Sequence, residues 1–310
     1  MERQHILQLR GVAMGRLIRD AGLRTGILVL VWLAWLTPWF VCCVIASGAG
    51  LLGLGLRGRV VRANVAHVRA DEPVSRQRAW FIALQEIATH WKMILELLRA
   101  NARPLQPTRL HVAGFAHLAP HLGRRGIVVV APHAGPYPIL GLLTSPWLRF
   151  HGFTGEIVVV ARIFRPFRSG ALMDWFIDVF ARAGVTIIPS DTPPRVLALR
   201  LRSILINRGI VILLVDEPTP TESYLVPFFD AAIQLPLGPA RLVAATKSVI
   251  VPCIATFGRS RTVSLTIGSV IESQADARAT TCQVAVALEQ MIALHLDQWA
   301  MLTPIWHSTP

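Results

Sequence analysis

"IVVVAPHAGPYPILG", Ile127 to Gly141, sets an apolar β-branched run directly against a lone histidine. A strand covered on both faces reads as a near-continuous hydrophobic run rather than an alternating one. Ile127–Ala131 fits that pattern, and it places His133 just beyond the carboxyl end of a buried strand. Four similar runs follow along the chain: "EIVVVA" from Glu156, "GVTIIP" from Gly184, "GIVILLVD" from Gly209 and "SVIVPCIATF" from Ser248. Helical patterns separate several of them, notably "SGALMDWFIDVFARA" and "PPRVLALRLRSILINR", and "WFIALQEIATHWKMILELLRA" (Trp80 to Ala100) precedes the first. Strands alternating with helices imply crossover connections. The expected fold is therefore α/β, a mostly parallel central sheet flanked by helices.

Ligands of open α/β sheets gather beyond the carboxyl ends of the strands. Three polar groups fall at such ends: His133, the pair Arg162 and Arg165, and Asp216-Glu217. A neutral imidazole facing a cleft takes a proton from a hydroxyl as that oxygen attacks a carbonyl; a histidine at the same place also serves simply to bond a loop backbone. An arginine there binds phosphate through paired hydrogen bonds, or belongs to a solvated basic loop that includes Arg168. Asp216 either orients His133 or caps the next segment. The residues alone leave these alternatives open. His111, His117 and His121 lack an accompanying cysteine or carboxylate, so no metal site is expected.

Composition directs attention to a membrane. Hydrophobic residues make up 53% of the 310, and Lys+Arg exceed Asp+Glu by 31 to 18, for a formal net charge of +13. The arginines are scattered rather than gathered in a tail, and no aromatic-basic motif accompanies them, so nucleic acid is not the expected partner. Between Arg24 and Arg57 lies "TGILVLVWLAWLTPWFVCCVIASGAGLLGLGL", without one charge. A spanning helix needs about 20 apolar residues; a cleavable signal needs an apolar stretch of only about 7–15. A retained anchor is expected over residues 1–57, as one span or as a hairpin turning near Thr37-Pro38, with an α/β domain over 58–310. Arginines on both sides of the run leave its orientation undecided.

Several stretches in order resemble the lysophospholipid acyltransferase superfamily, in its bacterial lipid A (Kdo-lipid) lauroyl/myristoyl acyltransferase branch, which includes phosphatidylinositol mannoside acyltransferases. "RVVRANVAHV" is similar to its Arg…Asn stretch, "VVVAPHAGPYPILG" to its histidine motif, and "FRPFRSGALMDWF" to its arginine-proline motif. "GIVILLVDEP" is similar to its Asp-Gln strand end, "VPFFDAAIQLPLGPARLVAATKSVIVP" to its "VPFFG…G…LA…G…VVP" block, and "LDQW" to its Gln-Trp ending. The resemblance implies transfer of a fatty acyl chain from acyl carrier protein or coenzyme A to a hydroxyl of a lipid or glycolipid, without metal or bound cofactor. It implies His133 as general base, Asp216 and Glu217 beside it, and Arg162, Arg165 and Tyr137 as substrate-binding residues. It also implies a bacterial inner-membrane protein with its catalytic domain on the cytoplasmic side. A basic surface suits an anionic bilayer and an acidic carrier protein.

One position departs from the family pattern. The family's histidine is followed five residues later by Asp or Glu, and here that residue is Pro138; before it, Tyr137 replaces the usual Trp. Proline offers neither charge nor a side-chain acceptor. Either another carboxylate, with Asp216, Glu217 and Asp191 the candidates, replaces the missing acid, or the chain is a catalytically impaired relative that binds lipid or a partner enzyme.

Overall fold

The computed structural model describes residues 22, 24–68, 75–102, 109–161, 170–217, 222–258 and 262–306. Helix α1 (Arg24–Leu36) ends where Thr37 and Pro38 break the backbone ladder. Helix α2 (Trp39–Val68) then runs unbroken through Arg57, and α3 (Arg76–Ala102) packs along it. Small residues permit that approach. A Cβ on Gly53 would stand 2.7 Å from Ile87 Cγ2, and one on Gly50 would stand 3.3 Å from the Ala88 backbone nitrogen. The other side of α2 is bare, with Phe40, Val44, Ile45, Leu51, Leu52 and Leu56 all exposed.

The rest alternates as the apolar runs predict. Strand β1 (Leu110–Ala113) and the short helix α4 (Phe115–Leu118) lead into β2 (Ile127–Ala131), α5 (Tyr137–Phe150), β3 (Ile157–Ala161), α6 (Gly170–Arg182), β4 (Thr186–Pro189), α7 (Pro194–Ile206) and β5 (Ile210–Leu214). A hairpin of β6 (Ser223–Phe228) and β7 (Ala231–Pro236) follows, then α8 (Gly238–Thr246), β8 (Val249–Phe257), β9 (Val263–Ile267) and α9 (Ala277–Leu294). Seven strands form one sheet in the order β1-β9-β8-β2-β5-β3-β4. All five expected runs are strands, mutually parallel; β9 lies antiparallel to β8 and carries β1 parallel beside it. The expectation of a mostly parallel sheet flanked by helices holds.

Two apolar layers sandwich this sheet. One joins α7, α8 and α9 to the hairpin and to Val61, Val65, Ile82 and Ala83 of α2 and α3; the other lies mainly under α5 and α6. The amino-terminal helices thus share a core with the sheet. Asn64, itself buried, donates from Nδ2 to the carbonyls of Met301 and Thr303, each at 3.0 Å, and so ties α2 to the end of the chain.

Candidate active site

Strands β2 and β5 are parallel neighbours in a register that pairs Ala131 with Leu214. Two residues beyond each partner stand His133 and Asp216, so the two strand-end groups reach the same level of the same edge. The Asp216 carboxylate is fully buried and holds the histidine at two points. Its Oδ1 lies 2.7 Å from His133 Nδ1, and its Oδ2 accepts the His133 backbone N–H at 2.9 Å. The Trp299 indole N–H donates to the same Oδ2 at 2.8 Å. A carboxylate against Nδ1 fixes the ring proton there and leaves the lone pair on Nε2, the arrangement that orients a base and stabilises its protonated form. The ring keeps 20% of its side-chain surface exposed.

The loop around His133 is pinned by one segment, Gln298 to Ala300. The Ala300 N–H donates to the His133 carbonyl at 2.7 Å, the Gly135 N–H donates to the Gln298 carbonyl at 2.8 Å, and Ala134 bridges Trp299. The Gln298 side chain reaches the end of β8, accepting from the Phe257 N–H at 2.7 Å and donating back to its carbonyl at 3.2 Å. Gly135 sits at φ +51, and a Cβ there would be 2.5 Å from the Ala255 carbonyl oxygen. The crowding prolines start a helix: Pro136 is the N-cap of α5 and Pro138 lies in its first turn, where no intrahelical partner waits for the missing N–H.

Of the three carboxylates able to replace the missing acid, Asp216 is the one the structure sets against His133. Glu217, one residue on, is half-buried, and Asp191 is exposed in the turn between β4 and α7. Tyr137 presents its ring edge-on to His133 at 4.9 Å between centroids. Burial pushes its hydroxyl above the usual tyrosine range, and the carboxylates of Asp216 and Glu217 add to that rise. Arg162 and Arg165, with Arg168, lie outside the described residues.

Two more residues, Glu86 and His90 of α3, adjoin the site and were not singled out by the sequence. His90 is close enough to His133 for their charges to repel; burial first and that repulsion second hold His90 below the ordinary histidine value. Glu86, one turn earlier, is buried, and burial together with the nearby Asp297 carboxylate raises it well above the usual glutamate range. The only sequence signal was two titratable residues four apart on an otherwise apolar helical face.

Comparison with known proteins gives the chain its relatives and its family. The chain is 28% identical over 256 residues to the phosphatidylinositol mannoside acyltransferase of Mycobacterium tuberculosis (strain ATCC 25618 / H37Rv), covering 79% of this chain and 76% of that protein. It is 27% identical over 277 residues to the phosphatidylinositol mannoside acyltransferase of Mycolicibacterium smegmatis (strain ATCC 700084 / mc(2)155), covering 84% and 86%. Residues 16–308 match the family described as bacterial lipid A biosynthesis acyltransferase, and the chain belongs to that family: it is a lipid acyltransferase.

Proposed function

We propose that the protein is a membrane-anchored O-acyltransferase in which His133, oriented by Asp216, is the general base toward a hydroxyl of a glycolipid acceptor. The buried 2.7 Å contact between Nδ1 and Asp216 carries this reading. With Nδ1 protonated, Nε2 takes the proton of the acceptor hydroxyl as its oxygen attacks the carbonyl carbon of an acyl thioester. The tetrahedral intermediate collapses, the carbon–sulfur bond breaks, and the imidazolium returns its proton to the departing thiolate. The products are an ester and a free thiol. Asp216 keeps its negative charge throughout and stabilises the imidazolium between the two proton transfers.

Glu217 and Tyr137 line the same mouth, and Arg162 and Arg165 supply cations for a phosphate of donor or acceptor. The glycolipid class follows the relatives, whose names specify phosphatidylinositol mannoside. Acyl carrier protein and coenzyme A both present the thioester this step needs. Residues 1–57 serve as the anchor and 58–310 as the enzyme domain, at the cytoplasmic face of a bacterial inner membrane. The bare apolar side of α2 supports the anchor.

The test is acyl transfer in vitro. Purified protein in detergent is given a labelled acyl thioester, on coenzyme A or on carrier protein, with a bacterial lipid extract, and the products are weighed. A labelled lipid heavier by one acyl group is expected, and none with His133→Ala. Equal transfer by that variant and the wild type overturns the base assignment.

A further inference from the structure

Among the described residues three carboxylates are buried to 1% exposure or less: Glu86, Glu96 and Asp216. Two of them have partners in view. Asp216 is held by His133 and Trp299, and Glu96 has the Arg109 guanidinium at 3.3 Å. Glu86 differs, because its Oε1 is buried with no hydrogen-bond partner among the described residues. The same holds for Nδ1 of His90. Buried polar atoms are nearly always bonded, so each such atom requires an explanation.

Place and chemistry together supply one. Residues four apart on a helix are neighbours on one face, so Glu86 and His90 stand side by side on α3. That face meets the site. Helix α3 packs on the turn Leu296–Gln298, where Asp297 acts on Glu86, while His133 acts on His90. Ile82 and Ala83, one turn before Glu86, share a core cluster with Ala134, Val215 and Trp299. With no cation beside it among the described residues, burial at such a depth favours the protonated form of Glu86, which donates as well as accepts.

We propose that Glu86 and His90 form a hydrogen-bonding subsite for a hydroxyl group of the acceptor, beside His133. The proposal rests on the reading of His133 as the base. A neutral carboxyl and a neutral imidazole each offer one donor and one acceptor, which matches an alcohol that also donates and accepts. A phosphate would call instead for guanidinium or ammonium groups. The thioester end of an acyl chain has a single acceptor oxygen and nothing to donate, so it uses half of what the pair offers. A polyhydroxylated head uses all of it.

The experiment separates binding from chemistry in the full-length protein in detergent micelles. Palmitoyl-coenzyme A is the donor and phosphatidylinositol mannoside the acceptor, with thioester hydrolysis followed in parallel without acceptor. Glu86→Leu is expected to raise the KM for the glycolipid by about tenfold or more, since a site built to bond a hydroxyl loses that partner. The deficit is expected to shrink at saturating glycolipid and to exceed any change in hydrolysis. Glu86→Gln, of the same shape and still both donor and acceptor, brings the KM back to within about threefold. The proposal is overturned if the leucine variant keeps its glycolipid KM within about twofold, if transfer and hydrolysis fall by one common factor, or if glutamine fails as leucine does. Transfer surviving in His133→Ala is a separate result, and it removes the base rather than the subsite.

Discussion

Asp216 has three hydrogen bonds to satisfy two oxygens, two from the backbone and ring of His133 and one from the Trp299 indole. Asp216→Asn keeps the shape and leaves one oxygen, so the Trp299 bond can persist while the imidazole tautomer is no longer enforced. The expected outcome is a folded protein whose kcat falls by about 10²–10⁴, the scale known for loss of an orienting carboxylate, measured by thioester consumption. Trp299→Phe removes only the indole donor and is expected to cost far less. His133 and Asp216 were legible in the sequence because each follows an apolar strand run. Their contact was not, since 83 residues separate them and only the register of β2 on β5 brings them level. Glu86 and His90 make a further measurement possible. The folded Glu86 holds its proton above the ordinary value of 4.5, so its stabilising contribution is full below that pH and drains away as pH rises toward its folded value. Glu86→Gln cannot ionise, and its melting temperature is expected to exceed that of the wild type by an amount that grows with pH above 4.5. His90 has the opposite sign. Its folded value lies below 6.5, its contribution is present above 6.5, and that contribution is lost as pH falls through the folded value. His90→Asn is expected to flatten the acid side of the same melting curve.

At the scale of elements, the parallel strands were the readable part and the hairpin was not. Strands buried on both faces announce themselves as apolar runs, whereas β6 and β7 bury only alternate residues, and β1 has only four residues. Helix α2 shows a different limit. Its lack of charge before Arg57 was plain, but nothing in the composition says that the helix continues to Val68 and enters the core through Val61 and Val65. Asn64 lies at that junction, and the Arg…Asn stretch points to it without revealing its partners. Asn64→Ala strips the two carbonyls of Met301 and Thr303 of a shared donor in the segment that follows Trp299. A loss of about 1–3 kcal/mol is expected, the cost of leaving buried acceptors unmade, read as a lower denaturation midpoint. Because that segment also supplies the backbone groups that hold the His133 loop, activity is expected to fall before global unfolding does.

The whole molecule joins a net positive charge to a bare apolar flank, and the membrane anchoring proposed above would draw on two components that respond to different variables. A net charge of +13 would favour anionic lipid, through an attraction that fades within roughly 8–10 Å at ordinary salt and weakens as salt is added. Apolar burial is not screened. Side chains such as Leu52 and Leu56, 80% and 86% exposed near the middle of α2, gain only from a hydrocarbon surrounding. If the anchor is apolar, the full-length protein stays with vesicles through high salt and alkaline carbonate, and the anionic fraction of the lipid changes how fast it binds more than whether it remains. The paired substitution Leu52→Arg and Leu56→Arg tests this directly. Arginine at the centre of a spanning helix costs about 2.5–3.5 kcal/mol each by insertion scales. Both side chains already face outward, so the enzyme domain has no packing to lose. The doubly substituted protein is expected in the carbonate-soluble fraction, with an unchanged melting temperature and with transfer retained toward acceptor supplied in detergent. If it sediments with the vesicles as the wild type does, α2 is not what holds the enzyme to the bilayer.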